Sequence, residues 1–226
     1  MFLDKTRQMR YTMCRKTEPR RFRRKDTASR CRHGFMEFSD KHIMTELDAS
    51  PVIAAVRTPV ALRRACKTDI GIVFILHAAL SDAAAQVQIA KDAGKCVFIH
   101  ADLVEGLSAD AAAVQYLRCA TAADGIISTR SAVIRAAKDC GFLTVQRFFV
   151  VDSQAEEALL RTVSQTHPDC IELMPGILPT VIARLRGKLS QPVISGGLVE
   201  TKEQVISLLS AGAHGISTSK EALWTL

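Results

Sequence analysis

The 226-residue chain carries 30 Lys and Arg against 23 Asp and Glu, a formal net charge of +7. Residues 1–43 hold 13 of the cations and 5 of the acids (+8), and residues 44–226 hold the other 17 and 18 (−1), so the basicity belongs to an arm. The Ala, Val, Ile and Leu content of the remaining body excludes a disordered chain, and its length suffices for one full core.

Other classes fall away on pattern. The longest apolar runs, such as Gly71–Leu76, are far shorter than the roughly 20 residues that cross a bilayer, so no membrane span is expected. The N-terminus lacks the apolar middle of a secretory signal. Seven cysteines, at 14, 31, 66, 96, 119, 140 and 170, form no CxxC pair and match no zinc spacing. They read as a reducing, cytoplasmic compartment with no disulfide framework and no metal.

The arm, with its run Arg20, Arg21, Arg23, Arg24 and Lys25, reads as solvated and disordered. Three origins stay open. It is a transit peptide, which its Asp and Glu oppose; a phosphate-contacting RNA arm; or upstream sequence read in frame ahead of a start at Met44. Regular periodicity begins only after Met44, which divides the chain into an arm, 1–43, and a body, 44–226.

From Ser50 a strand-then-helix rhythm repeats. Strands are predicted at Val52–Val56, Ile72–His77, Cys96–Ala101, Gly125–Ser128, Leu143–Phe148, Cys170–Met174, Pro192–Ser195 and Gly215–Ser217. They are short runs rich in Val, Ile and Phe, the composition of strands buried on both faces of a parallel sheet. Amphipathic helices are predicted between them, for example Ser81–Ala93, Asp110–Ala120, Ser131–Cys140, Ser153–Thr166 and Lys202–Ala211. Ser81, Ser131 and Ser153 are candidate N-caps, and Gly94, Gly141, Gly187 and Gly212 stand where helices should stop. Eight strands, seven helices and a short last one predict a compact (β/α)8 TIM-type barrel; a doubly wound open sheet is the alternative.

In a barrel, ligand groups sit just beyond the C-terminal ends of the strands. Those positions hold His77; His100, Asp102 and Glu105; Ser128 and Thr129; Gln146 and Arg147; Glu172; Ser195, Gly196 and Gly197; and Ser217, Thr218 and Ser219. The last two units are the most informative. Gly196 and Gly197 let backbone N–H groups approach an anion, and Ser217, Thr218 and Ser219 lead into a short segment, Lys220–Trp224, whose start adds positive partial charge. Together they predict a phosphate site; alternatively the glycines only turn the chain and the hydroxyls only cap a helix. Glu172 lies in an otherwise apolar strand and needs a cation or donors, with Arg147 the candidate. It either accepts the hydroxyls of a polyol or forms a structural pair. His100 and Asp102 share a strand face, as an acid/base pair or as a core histidine beside a loop-capping aspartate.

These residues resemble a known family. The stretches FIHADLVEGLSADAAAVQYL, ADGIISTRSAVIRAAKDCGFLTVQRFFVVDS, IELMPGILP, PVISGGLVETKEQV and AGAHGISTSKEALW are similar to the glycerol-3-phosphate-responsive transcription antiterminators, from about Ser50 to Trp224. The resemblance implies a non-enzymatic barrel that takes no cofactor and senses glycerol 3-phosphate as its effector. The loaded protein would then bind the leader mRNA of glycerol-metabolism operons, preventing termination and stabilising the transcript. By motif position Gly196, Gly197, Ser217, Thr218 and Ser219 would hold the phosphate, and Asp102, Glu105, Arg147 and Glu172 the glycerol end or its support. A homodimer is compatible with this reading. The body's net −1 gives RNA binding no electrostatic basis of its own, since cation clusters at Arg57, Arg63, Arg64 and Lys67, at Arg130, Arg135 and Lys138, and at Arg184, Arg186 and Lys188 read first as solvated helix faces. No aromatic stacking platform is visible: Tyr116 and Trp224 stand alone. The alternatives are a barrel enzyme acting on a phosphorylated sugar or polyol, with acid/base groups from His100, Asp102 and Glu172, and a scaffold that has lost its ligand.

Overall fold

The computed structural model describes residues 40–176 and 178–226. The basic arm expected over 1–43 lies outside the described residues as far as residue 39. The closed barrel has eight parallel strands: β1 (Val52–Val56), β2 (Ile72–Ile75), β4 (Cys96–His100), β6 (Gly125–Ser128), β7 (Leu143–Phe149), β8 (Cys170–Met174), β9 (Val193–Gly196) and β10 (Gly215–Thr218). Neighbours around the ring follow chain order, and β1 closes on β10 with Ala54 opposite Thr218. An open sheet is therefore excluded. Two short strands, β3 (Ala78–Ala79) and β5 (Val104–Glu105), pair beyond the ends of β2 and β4.

Seven helices follow the first seven barrel strands: α2 (Pro59–Ala65), α3 (Leu80–Asp92), α4 (Ala111–Ala120), α5 (Ser131–Asp139), α6 (Ser153–Thr166), α7 (Pro179–Arg186) and α8 (Lys202–Ser210). The last unit ends in a 3-10 turn, Glu221–Leu223. Alternation along the strands divides the core. Outward residues such as Val73, Val97, Ile126 and Ile171 pack under the helices, whose buried stripes include Leu62, Val87, Leu117 and Leu208. Inward residues such as Phe74, Phe98, Val145 and Ile194 fill the barrel, with Phe74 and Phe98 edge to face at 5.4 Å between centroids.

The strand-start end is plugged by an additional helix, α1 (Asp40–Ala49), which crosses the 43/44 boundary and which the sequence reading does not anticipate. Ile43 and Leu47 lie one turn apart, 1% and 2% exposed, and join Ile53, Ile72, Cys96 and Cys170 in the interior cluster. Gly215 makes room for this plug, since a Cβ there would lie 2.7 Å from Leu47 Cδ2.

The helix caps require correction. The N-cap positions are Ala79, Arg130 and Asp152, not Ser81, Ser131 and Ser153, which lie inside the first turns. The Asp152 carboxylate accepts from Ala155 N at 2.7 Å, a charged acceptor at a positive helix start. α3 springs directly from β3, which leaves Ser81 already helical. Gly94, Gly141 and Gly212 follow their helices with φ of +74°, +74° and +106°. Gly187 sits at the expected stop, but its φ of −80° is right-handed.

Candidate functional site

Alternation along the strands sets the polar groups of the mouth. On β7, Leu143 and Val145 face the interior, so Arg147 does too; on β8, Cys170 puts Glu172 inside. The register places Arg147 opposite Glu172 and Gly196 opposite Ser217. Arg147 Nε donates to Glu172 Oε2 at 2.7 Å, and Ser217 Oγ donates to Glu172 Oε1 at 2.5 Å. Glu172 is 0% exposed and Arg147 7%, so each oxygen of a fully buried carboxylate has its own donor. The predicted Arg147 partner is thus in place, with Ser217 as a second that the sequence reading assigns to phosphate.

A cavity of about 490 Å³ opens above this pair. Gly197, Ser217, Thr218 and Ser219 line it with Arg147 and Glu172, so motifs far apart in sequence meet in one chamber. Gly196 stands immediately behind: a Cβ there would lie 2.1 Å from Ser217 Oγ and 2.7 Å from Glu172 Oε1. Gly196→Ala should therefore break the Ser217–Glu172 bond and destabilise the chain by about 1–3 kcal/mol, the usual penalty of overpacking; a urea midpoint unchanged from wild type would refute this. Gly197, at φ +81°, and Leu198, at φ +60°, carry the chain around the chamber in the left-handed region.

The hydroxyls divide their tasks. Thr218 Oγ1 donates to Val199 O at 2.8 Å and accepts from Lys220 N at 3.0 Å, so it ties loops together. Trp224, 3% exposed, donates from Nε1 to Thr218 O at 2.9 Å and anchors the last turn. That turn is the three-residue Glu221–Leu223, too short to supply the helix-start charge expected at Lys220–Trp224.

Asp102 and Glu105 are not among the residues lining the chamber. Asp102 accepts Ser128 Oγ at 2.6 Å, and Thr129 N and Oγ1 at 2.8 Å each, which makes it the cap of the loop after β6. Burial would raise its pKa, but these hydrogen bonds outweigh it and hold the carboxyl below its ordinary value. Glu105 is exposed on β5, 3.5 Å from His77 on the neighbouring segment. Ser195 faces the helical layer, where its Oγ is buried without a hydrogen-bond partner among the described residues. Gln146 also points outward, accepting from Thr166 Oγ1 at 2.6 Å.

His100 ends β4 on the inward face, 3% exposed, with Nδ1 lacking a partner among the described residues. Burial and then the Arg147 charge depress its pKa to about 4, against the opposing pull of Asp102, so the ring is neutral at pH 7. No group of three or more potential metal ligands occurs among the described residues, and their five cysteines form no disulfide. No described helix is long and apolar enough to cross a membrane.

The sequence reading missed Arg57 and Lys220 as chamber residues, together with Phe149, Met174 and Leu198. Arg57 directly follows β1 and Lys220 lies two residues past β10, so the strand-end rule applied to those two units would have found both cations.

Several known proteins are similar to this chain over most of its length. YgcP of Escherichia coli (strain K12) is 38% identical over 180 residues, covering 80% of this chain and 94% of that protein. The crystal structure of the glycerol uptake operon antiterminator regulatory protein from Listeria monocytogenes superposes with a TM-score of 0.75 at 38% identity, covering 77% of this chain and 95% of that one. A glycerol uptake operon antiterminator-related protein from Thermotoga maritima gives 0.69 at 33% identity, covering 76% and 96%. Residues 52–224, β1 through the final turn, match the family described as "Glycerol-3-phosphate responsive antiterminator", and the chain belongs to that family of regulators.

Proposed function

We propose that the protein binds glycerol 3-phosphate in the chamber at the barrel mouth and, when loaded, binds the leader mRNA of glycerol-metabolism operons, so that termination is prevented and the transcript stabilised. The observation that carries the reading is one chamber with two chemistries. Its floor is the Arg147–Glu172–Ser217 chain, whose charged groups suit hydroxyls, and its wall is the Gly197 and Ser219 backbone, which suits a phosphate. Arg147, Glu172, Gly197, Ser217 and Ser219 are the proposed contacts, with Gly196 and Thr218 shaping the loops; Asp102 and Glu105 act at most as support for neighbouring loops.

The site is sensory rather than catalytic in this reading. Both Glu172 oxygens are already engaged, which leaves no free base there. Action on leader RNA places the protein in the cytoplasm. The effector must bind the RNA-competent state more tightly than the other, since equal affinity shifts nothing. Thermal unfolding should shift upward with millimolar glycerol 3-phosphate, by about 2.7 kcal/mol at a hundredfold excess over Kd. Inorganic phosphate or glycerol should each give much less. A flat titration with glycerol 3-phosphate would remove the sensor reading.

A further inference from the structure

A three-carbon phosphate leaves much of the chamber unused. At about 490 Å³ it falls in the range, roughly 300–1,000 Å³, that encloses drug-sized ligands. The wall formed by Phe149, Met174, Pro175 and Leu198 is apolar, and a polyol phosphate gains little from such a surface. Phe149 is 57% exposed and Leu198 67%, so both are open to a ligand in the chamber. Apolar residues scattered singly over a surface need no explanation, but exposed ones that line the same cavity suit a ligand with an apolar face.

The same chamber carries two exposed cations, Arg57 and Lys220, on the β1 and β10 side, and neither pairs with a described side chain. Glu200 is the opposing exposed carboxylate, and Glu172 is already held by Arg147. A flat aromatic face, an apolar wall and unpaired cations within one opening suit a phosphate ester that bears a flat ring.

We propose that the outer half of the chamber takes a single unpaired nucleotide of the leader RNA, its base stacked on Phe149 and its phosphate drawn to Arg57 and Lys220. This rests on the RNA reading above. It gives the effector a direct means of coupling: glycerol 3-phosphate on the polar floor completes the surface on which the base packs. Each ligand then raises the affinity of the other by the same factor.

The test is photo-crosslinking of the full chain to the leader RNA of a glycerol-metabolism operon, substituted with 4-thiouridine, with and without glycerol 3-phosphate. Crosslinked peptides are mapped by mass spectrometry, and retention is measured for Phe149→Ala and Phe149→Trp. Crosslinks should fall on 149–151 and 197–200 and strengthen with effector. Phe149→Ala should weaken retention about tenfold while Phe149→Trp preserves it, since any aromatic face stacks a base. Crosslinks confined to other surfaces, or equal retention by Phe149→Ala, overturn the proposal and leave the RNA reading standing. Wild-type protein that retains no leader RNA overturns both, a distinguishable result. Should Phe149→Ala fail to fold, the wild-type crosslink map decides alone.

Discussion

Replacing Arg147 by methionine is expected to lower the unfolding free energy by about 3–5 kcal/mol, the loss found when one partner of a buried ion pair is deleted. Glu172 is 0% exposed, and Ser217 alone would remain to stabilise its charge. The wild-type pair itself contributes far less, because desolvating both ions offsets most of their attraction. The double variant Arg147→Met, Glu172→Leu should therefore recover most of the stability lost by the single one. Urea unfolding of both proteins measures this directly. If the single variant loses under about 1 kcal/mol, the carboxylate is not held as a buried charge in the way described. Both variants should also lose the thermal response to glycerol 3-phosphate, since they remove the polar floor; a retained response in the double variant would move the effector elsewhere in the barrel.

Acid should destabilise the protein well before its carboxylates titrate, through His100. Its folded pKa lies at about 4 against an ordinary 6.5. Between those values the unfolded chain takes up a proton that the folded chain refuses, so stability is complete above about pH 6.5 and falls as the pH drops toward 4. The difference amounts to roughly 3 kcal/mol. Asp102 and Glu156, both held below their ordinary values by hydrogen-bond donors, add their losses only at lower pH. Unfolding midpoints from pH 7 to pH 4 should thus slope steeply in the wild type and flatten in His100→Gln. Parallel slopes for the two proteins would mean that the imidazole is protonated inside the barrel.

Much of the fold was legible along the chain. Strands buried on both faces read as unbroken apolar runs, and the helices between them as 3.6-residue stripes, because each pattern is set by neighbours only a few residues away. Val52–Val56, Gly125–Ser128 and Cys170–Met174 fall where the runs predict, as does the helix Ser153–Thr166. Helix starts were read less well. Ser153 is the cap expected from the sequence and Asp152 the one the structure uses, because sequence alone does not show which residue still has extended backbone. The plugging helix α1 escaped notice for a related reason: Ile43 and Leu47 make one short apolar stripe in a polar segment, and its value appears only against the interior it closes.

The candidate site divides in the same way. By itself the sequence determined that polar side chains gather at the C-terminal ends of the strands, that glycines and hydroxyls end the last two, and that Glu172 needs a partner inside an apolar strand. Those are statements about single segments. Only the closed barrel decided which strand ends share a chamber. It brought Arg147 and Ser217 to the two oxygens of Glu172 and set Asp102 to cap a loop. It also left Glu105 outside and added Arg57 and Lys220. The reason is geometric: strand alternation fixes which face a residue occupies, whereas the registers between distant strands, such as Ala54 with Thr218 and Arg147 with Glu172, fix which residues on that face meet.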